Sequence, residues 1–135
     1  MTEQETIDYL NEIYPSLDLQ ATSTSDYYSK YCSFDAFGDN HIVEIKNRRK
    51  YYKEKMIECC KLFVNYQAAQ LSDSRFIYVV TDEKGVWVYP ITEKMEEIMK
   101  QKPIKIPCPS KTDFEGGETI DKYCYILNED MAIKI

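Results

Sequence analysis

Histidine occurs only once in this chain, and none of its five cysteines belongs to a CxxC pair. Structural zinc sites draw on closely spaced Cys and His, and disulfide frameworks use even numbers of cysteines. We therefore expect neither and interpret the cysteines as buried free thiols. No run of 18 or more apolar residues occurs, and the first residues lack the basic and apolar parts of a signal peptide. These absences predict a soluble protein of the cytoplasm that has no membrane partner.

Glycine and proline are also scarce, and three of the five prolines lie within residues 103–109. Because the sequence pattern changes there, we divide one domain into a core at residues 1–102 and a C-terminal extension at residues 103–135 that packs on it. Alternation predicts that the extension ends in a hairpin of residues 123–127 and 131–135. Apolar residues make up 44% of the chain, which is enough for a hydrophobic core.

The remaining patterns predict an α/β fold with a central mixed β-sheet flanked by helices. Thr2 and Glu5 have the spacing of a capping box at the start of a first helix, and Pro15 ends that helix. Apolar periodicities then predict, in order, a strand at residues 17–23, a helix at 51–71, a hairpin at 75–92 and a short helix at 93–100.

A further hairpin is expected within residues 31–47, where residues 38–40 mark the turn. A two-residue turn of Asp39 and Asn40 would place Asp35 directly opposite Glu44 on the neighbouring strand. Side chains alternate along a strand, so Lys46 joins Glu44 on the same face. The opposite face is expected to hold four core residues: Phe34, Ala36, Val43 and Ile45.

The opposed carboxylates of Asp35 and Glu44 would have Cβ atoms about 5 Å apart. At an effective dielectric constant of about 20, their repulsion is roughly 3 kcal/mol when both are ionised. Two interpretations remain open. Lys46 could complete an ordinary cluster of three charges on a solvated face, or a divalent cation could bind the carboxylates and leave Lys46 free to orient a water molecule.

A motif is formed by Asp35, an eight-residue gap and then Glu44-Ile45-Lys46, and it lies on a predicted hairpin that is followed by a helix and another strand. This motif in this order of elements resembles the PD-(D/E)xK nuclease superfamily. This superfamily includes restriction endonucleases and Holliday junction resolvases, and the resemblance covers residues 2–92. It implies a restriction-endonuclease-like core. It also implies that Asp35, Glu44 and the carbonyl group of Ile45 bind Mg²⁺, for which Mn²⁺ substitutes, while Lys46 assists the attacking water.

Other features of the resemblance are more general. Phe34 stands where the superfamily signature often has proline. The segment VEIKNRR with the tyrosine-rich stretch after it is similar to small nuclease-like proteins of bacterial viruses, which implies the cytoplasm of a host cell. Many members add a metal ligand from a glutamate of the first helix, for which Glu5 is the first candidate and Glu12 the second, although capping also explains Glu5. Some members place a lysine or glutamine of the later helix near the scissile phosphate; Lys61 and Gln67 are such residues, with a solvated polar face as the alternative.

The net charge of −6 opposes binding to DNA, whose phosphates attract basic surfaces. The charge is unevenly distributed, however, since residues 41–55 carry six Lys and Arg against two Glu. We expect five residues of this basic segment to contact phosphates: Arg48, Arg49, Lys50, Lys53 and Lys55. A solvated start of the second helix is the alternative. Tyr28, one of several tyrosines near the hairpin, is expected to stack on an unpaired base.

These features together predict a magnesium-dependent endonuclease that hydrolyses DNA phosphodiester bonds. Small resolvases and structure-specific endonucleases are similar in size and are usually homodimers, because two strands must be cut. The rival interpretation is a catalytically silent protein with a nuclease fold, such as a DNA mimic or an inhibitor of a host DNA-processing enzyme. The intact Asp35, Glu44 and Lys46 favour the enzyme, whereas the acidic net charge favours the rival.

Overall fold

The computed structural model describes residues 1–25, 28, 32–109 and 119–135. The first residue of the predicted 31–47 hairpin segment lies outside these ranges. The chain folds into an α/β structure in which three helices flank a mixed sheet, and a smaller sheet adjoins it. The predicted α/β class with a mixed sheet is confirmed.

The first helix, α1 (Glu3–Ile13), begins at the predicted capping box. The Glu5 amide donates to the Thr2 hydroxyl at 3.1 Å, and the Thr2 amide donates to Glu5 Oε1 at 3.1 Å. Ile7 and Leu10 are fully buried. Helical spacing therefore presents one apolar stripe of α1 to the sheet.

The main sheet has six strands, of which the two central neighbours run parallel while all other neighbours run antiparallel. In spatial order they are β1 (Gln20–Ala21), β2 (Ala36–Gly38), β3 (His41–Asn47), β5 (Arg75–Asp82), β6 (Gly85–Pro90) and β9 (Ile133–Lys134). The predicted hairpin at residues 75–92 is confirmed as β5 and β6. The short helix after it is α3 (Ile91–Ile98), which starts two residues earlier than predicted.

A second, antiparallel sheet has the order β4 (Lys55–Glu58), β8 (Thr119–Leu127) and β7 (Ile104–Pro109). β4 lies inside the segment predicted to be helical, so the second helix, α2 (Cys59–Leu71), begins eight residues later than expected. Tyr52 and Met56 are spaced as in a helix, but pairing with the distant β8 makes residues 55–58 a strand. The prediction that the helix starts at residue 51 was therefore wrong.

The predicted terminal hairpin was also wrong. β8 pairs with β4 and β7, whereas β9 pairs with β6 at the edge of the main sheet. A 3₁₀ turn at Glu129–Met131 separates the two strands and redirects the chain. Residues 103–135 thus contribute strands to both sheets.

Each face of the main sheet carries a hydrophobic cluster. The cluster at α1 includes Ile7, Leu10, Val43, Ile45 and Val79. The cluster at α2 includes Phe34, Ile42, Leu62, Phe76 and Tyr78. The face of β3 that holds Glu44 is therefore also part of the core, because α2 covers it. Phe34 lies on this face, contrary to expectation, since the irregular chain before β2 does not continue the strand alternation.

All five cysteines are free thiols, as predicted, although Cys60 is exposed and only Cys124 is fully buried. Among the described residues, we find no helix with both the length and the apolar character needed to cross a membrane.

Candidate functional site

The β2–β3 hairpin has the predicted register, in which Gly38 pairs with His41 and Ala36 pairs with Val43. Asn40 adopts the left-handed conformation with a φ of 53°, as a tight turn requires. Gly38 packs against the preceding chain, since a Cβ atom added to it would lie 2.1 Å from the Leu17 carbonyl oxygen. Glycine at this position therefore allows the hairpin to rest on the segment after α1.

Asp35 lies just before β2 and is fixed by two hydrogen bonds to β3. Its amide donates to the Val43 carbonyl at 2.8 Å, and its Oδ2 accepts from the Ile45 amide at 2.8 Å. The Asp35 carboxylate also lies close enough to Glu44 for its charge to raise the pKa of the Glu44 carboxyl group. The structure therefore brings the two predicted carboxylates together, although Asp35 itself is outside the strand.

Glu44 is only 8% exposed because α2 lies over its face of β3. Burial raises the pKa of Glu44 to about 8, and the charge of Asp35 contributes to the rise, whereas Lys61 and Asn65 oppose it. Burial disfavours the ionised form of a carboxylic acid, and a neighbouring carboxylate disfavours it further. At neutral pH, Glu44 therefore keeps its proton unless a cation offsets the charge.

Two side chains of α2 reach the Glu44 carboxyl group. Lys61 Nζ lies 3.8 Å from Glu44 Oε1, and its side chain is 45% exposed. Asn65 Nδ2 lies 3.4 Å from Oε2, and Asn65 is completely buried. Gln67, the other α2 residue considered from the sequence, is exposed.

Asn65 was not among the residues predicted for the site. Its signal was available, because Asn65 is a polar residue in the buried stripe of α2 that also contains Leu62 and Ala69. A polar residue at a core position of a helix requires a partner. The partner could not be named, since residues 44 and 65 come together only in the fold.

Lys46 follows Glu44 by two residues on β3, so both side chains leave the same face of the strand. Lys46 is exposed, whereas Glu44 is buried. The site therefore has a buried carboxyl group and an exposed ammonium group along one strand. This order is compatible with a solvent-side substrate and a cation held below it.

Glu3 of α1, which was not among the predicted site residues, lies within electrostatic range of Asp35. Burial raises the pKa of Glu3, and the charge of Asp35 raises it further. Glu5 is instead engaged with Thr2 in the capping box. Glu12 lies nine residues after Glu3, or roughly 13 Å along the helix. Thr6, whose hydroxyl donates to Asn47 Oδ1 at 3.1 Å, attaches this end of α1 to the end of β3.

Among the described residues, no three side chains of His, Cys, Asp or Glu gather closely enough to hold a metal ion. No family model, curated protein or solved structure matches the chain. The donors at the site itself are the carboxylate oxygens of Asp35 and Glu44, which suit hard cations such as Mg²⁺. A buried carboxyl with a raised pKa beside a second carboxylate is an arrangement that a divalent cation would relieve.

The basic segment does not lie on a helix, because residues 48–54 form an irregular loop between β3 and β4. Arg49, Lys50 and Lys53 are exposed, and Arg48 is half-buried with its guanidinium carbon 5.8 Å from the centre of the Tyr52 ring. Four of the five residues predicted to contact phosphates therefore lie at the surface of a loop. This loop directly follows β3, the strand that carries Glu44 and Lys46.

Lys55 is the exception, since it is 1% exposed. Its ammonium group lies 2.8 Å from Glu129 Oε1, 3.9 Å from Asp82 Oδ2 and 3.8 Å from the centre of the Trp87 ring. Strand alternation in β4 turns this side chain inward. The prediction that Lys55 contacts phosphates was wrong, and the residue instead joins three separate parts of the chain.

Tyr28 packs against the core as well. The centre of its ring lies 4.8 Å from that of Phe37 and 5.1 Å from that of Phe34, both in edge-to-face geometry. These contacts account for the aromatic residue, so the geometry does not support the predicted role in base stacking.

Proposed function

We propose that the protein is a divalent-cation-dependent nuclease with a restriction-endonuclease-like core, and that it hydrolyses phosphodiester bonds of DNA. One observation carries the proposal: Asp35 meets a buried Glu44 whose pKa is raised to about 8, and Lys46 follows on the same strand face. The order of elements supports it, because the β2–β3 hairpin is followed, after the short strand β4, by α2 and then by β5, which runs parallel to β3.

The residues present fit a magnesium ion. Asp35, Glu44 and the carbonyl oxygen of Ile45 would hold it, since all three offer the oxygen ligands that Mg²⁺ prefers. When bound, the ion would supply positive charge that makes a water molecule easier to deprotonate and offsets charge on the phosphate. Glu3 stands in the electrostatic field of Asp35 and is the first-helix carboxylate best placed to assist.

The other groups of the site act on the substrate. Lys46 is exposed on the same strand face as Glu44, from which its ammonium group would orient the attacking water and stabilise the negative charge that develops on the phosphate. Lys61 pairs with Glu44 Oε1 at 3.8 Å, and its exposed side chain is free to turn to a phosphate oxygen. The neighbouring phosphates of the DNA backbone would be contacted by four residues of the loop after β3: Arg48, Arg49, Lys50 and Lys53. A homodimer would bring two such sites to the two strands of a DNA duplex.

The test is incubation of the protein with labelled branched, single-stranded and duplex DNA in Mg²⁺, Mn²⁺ or a chelator. Lys46→Ala is expected to lower the cleavage rate by orders of magnitude while DNA affinity changes little, because the lysine acts mainly in the transition state. Lys102→Ala, which alters an exposed lysine after α3, is the matched control and should cleave normally. A wild-type protein that cuts none of these substrates with either metal would contradict the proposal.

A second candidate function is favoured by the net charge of −6, which is unusual for a protein that binds DNA. It is a catalytically silent nuclease fold that binds another protein as a DNA mimic or an inhibitor of DNA processing. In that case the wild type cuts nothing, and Lys46→Ala leaves partner binding intact.

A further inference from the structure

Asn65 is a completely buried amide in the centre of α2, on the stripe that faces β3. Its Nδ2 donates to Glu44 Oε2 at 3.4 Å. Its Oδ1 is also buried and has no hydrogen-bond partner in the part of the chain that the structure describes. The side chain thus uses its donor on Glu44 and leaves its acceptor unpaired.

Packing alone does not explain an asparagine here. A buried polar atom without a partner destabilises a fold, and most buried amides have both ends paired. Leu62 and Ala69, on the same stripe of α2, fill the core without this cost. Residues that are kept against stability are expected at functional sites.

The two oxygens of the Glu44 carboxyl group have different neighbours. Oε2 faces the buried amide of Asn65, whereas Oε1 faces Lys61, whose side chain is 45% exposed. A long exposed lysine can be displaced by a cation, but a fully buried asparagine on a packed helix cannot move away. The Asn65 bond of 3.4 Å is long for N–H···O, and such bonds shorten when the acceptor is ionised.

We propose that Asn65 is a positioning residue that holds Oε2 of Glu44 and so directs Oε1 towards a divalent cation shared with Asp35. This inference rests on the proposed function. Partners that orient a metal-binding carboxylate commonly alter metal affinity by about 10- to 100-fold when they are removed. Asn65 therefore acts through Glu44 and contacts neither the cation nor the DNA.

The experiment compares wild type and Asn65→Leu in two measurements at a fixed pH: Mn²⁺ affinity by calorimetry, and the free energy of unfolding in urea without metal. The affinity for Mn²⁺ is expected to fall by about 10- to 100-fold. Stability without metal is expected to stay the same or rise, because leucine removes the unpaired oxygen. A structural role predicts the reverse, with lower stability and unchanged affinity, and that result would overturn the inference.

Asn65→Ala covers the case in which leucine is too large for the site, since it removes the amide without adding volume. It should lose stability through the cavity but show the same fall in affinity. Asn11→Ala is the matched control, because the Asn11 amide bonds the backbone of Leu19 at 2.7 and 2.9 Å, next to β1. It should lose stability and bind Mn²⁺ normally.

The possible failures are distinguishable. If the wild-type protein binds no Mn²⁺, both the proposed function and the inference about Asn65 are contradicted. If the wild type binds Mn²⁺ and both Asn65 variants bind it equally tightly, only the inference about Asn65 is contradicted.

Discussion

Replacing Glu44 with glutamine is expected to stabilise the protein by a few kcal/mol at pH 8 but by less than about 1 kcal/mol at pH 5. The reason lies in the raised pKa of Glu44, which is about 8 in the fold and 4.5 for an ordinary glutamate. Between these values the unfolded chain releases the proton while the folded chain keeps it. The wild type therefore loses stability as the pH rises through this window, by about 1.4 kcal/mol per pH unit from this group alone.

Glutamine mimics the protonated acid, since its amide can donate to Asp35 and carries no charge. The Glu44→Gln variant should therefore not lose stability in this way as the pH rises. The difference in the free energy of unfolding between the variant and the wild type then grows with pH to a few kcal/mol at pH 8. Well below pH 4.5 the residue at position 44 is neutral in both proteins, folded or unfolded, and the difference in the free energy of unfolding disappears. The sign is opposite to that of a salt-bridged carboxylate, which stabilises a fold as the pH rises.

The assay is urea unfolding followed by the fluorescence of Trp87, the only tryptophan, which is 4% exposed in the fold. Both proteins are measured at half-unit steps from pH 5 to 8.5 in the presence of a chelator. Glu93→Gln is the control, because Glu93 forms an exposed ion pair with Arg75 at 2.6 Å and such pairs contribute little. Equal pH slopes for wild type and Glu44→Gln would show that Glu44 ionises normally and would refute the reasoning.

Adding Mg²⁺ at pH 8 extends the same experiment. A cation that binds only the folded state stabilises it by about 2.7 kcal/mol when its concentration is 100 times the dissociation constant. The wild type should recover stability in this way, whereas Glu44→Gln should gain much less. A gain of the same size in both proteins would place the metal elsewhere.

Three other substitutions have clear expected outcomes. Lys55→Ala should lower the free energy of unfolding in urea by roughly 3 kcal/mol, because it leaves the buried Asp82 carboxylate without its cation, whereas the exposed Lys53→Ala should change it by less than about 0.5 kcal/mol. Gly38→Ala should destabilise by about 1–3 kcal/mol in the same assay, since its Cβ would collide with the Leu17 carbonyl; an unchanged midpoint would contradict the close approach. Simultaneous substitution of Arg48, Arg49 and Lys50 with alanine should weaken DNA binding and lower the slope of log affinity against log salt concentration by about 0.7–0.9 per lost contact. An unchanged slope would show that these residues do not contact the DNA.

The parts of the fold that could be predicted from sequence depend on neighbours in the chain. The capping box of α1 needs only residues 2–5, and the register of the β2–β3 hairpin follows from a two-residue turn. That register was sufficient to place Asp35 beside Glu44. The β5–β6 hairpin was predictable for the same reason.

The parts that could not be predicted depend on contacts between distant residues. Residues 55–58 pair with β8, about seventy residues later, so a local helical pattern was misleading there. Lys55 seemed to be one of a series of surface cations, and only its contacts with Asp82 and Glu129 show why it is buried. Asn65 and Glu3 reach the site from two helices whose orientation the sequence does not specify.

The bond between Lys55 and Glu129 also bears on the order of events in folding. Its two residues are 74 positions apart, and it closes near the last strands of the chain. β4 leads directly into α2, which carries Lys61 and Asn65, so the support beneath that helix is complete only when β8 has paired. Contacts of such long range form late and slowly. A chain that has not yet formed β8 would therefore hold Asp35 and Glu44 without the completed support for α2, and the proposed cation site would form only once β8 has paired with β4.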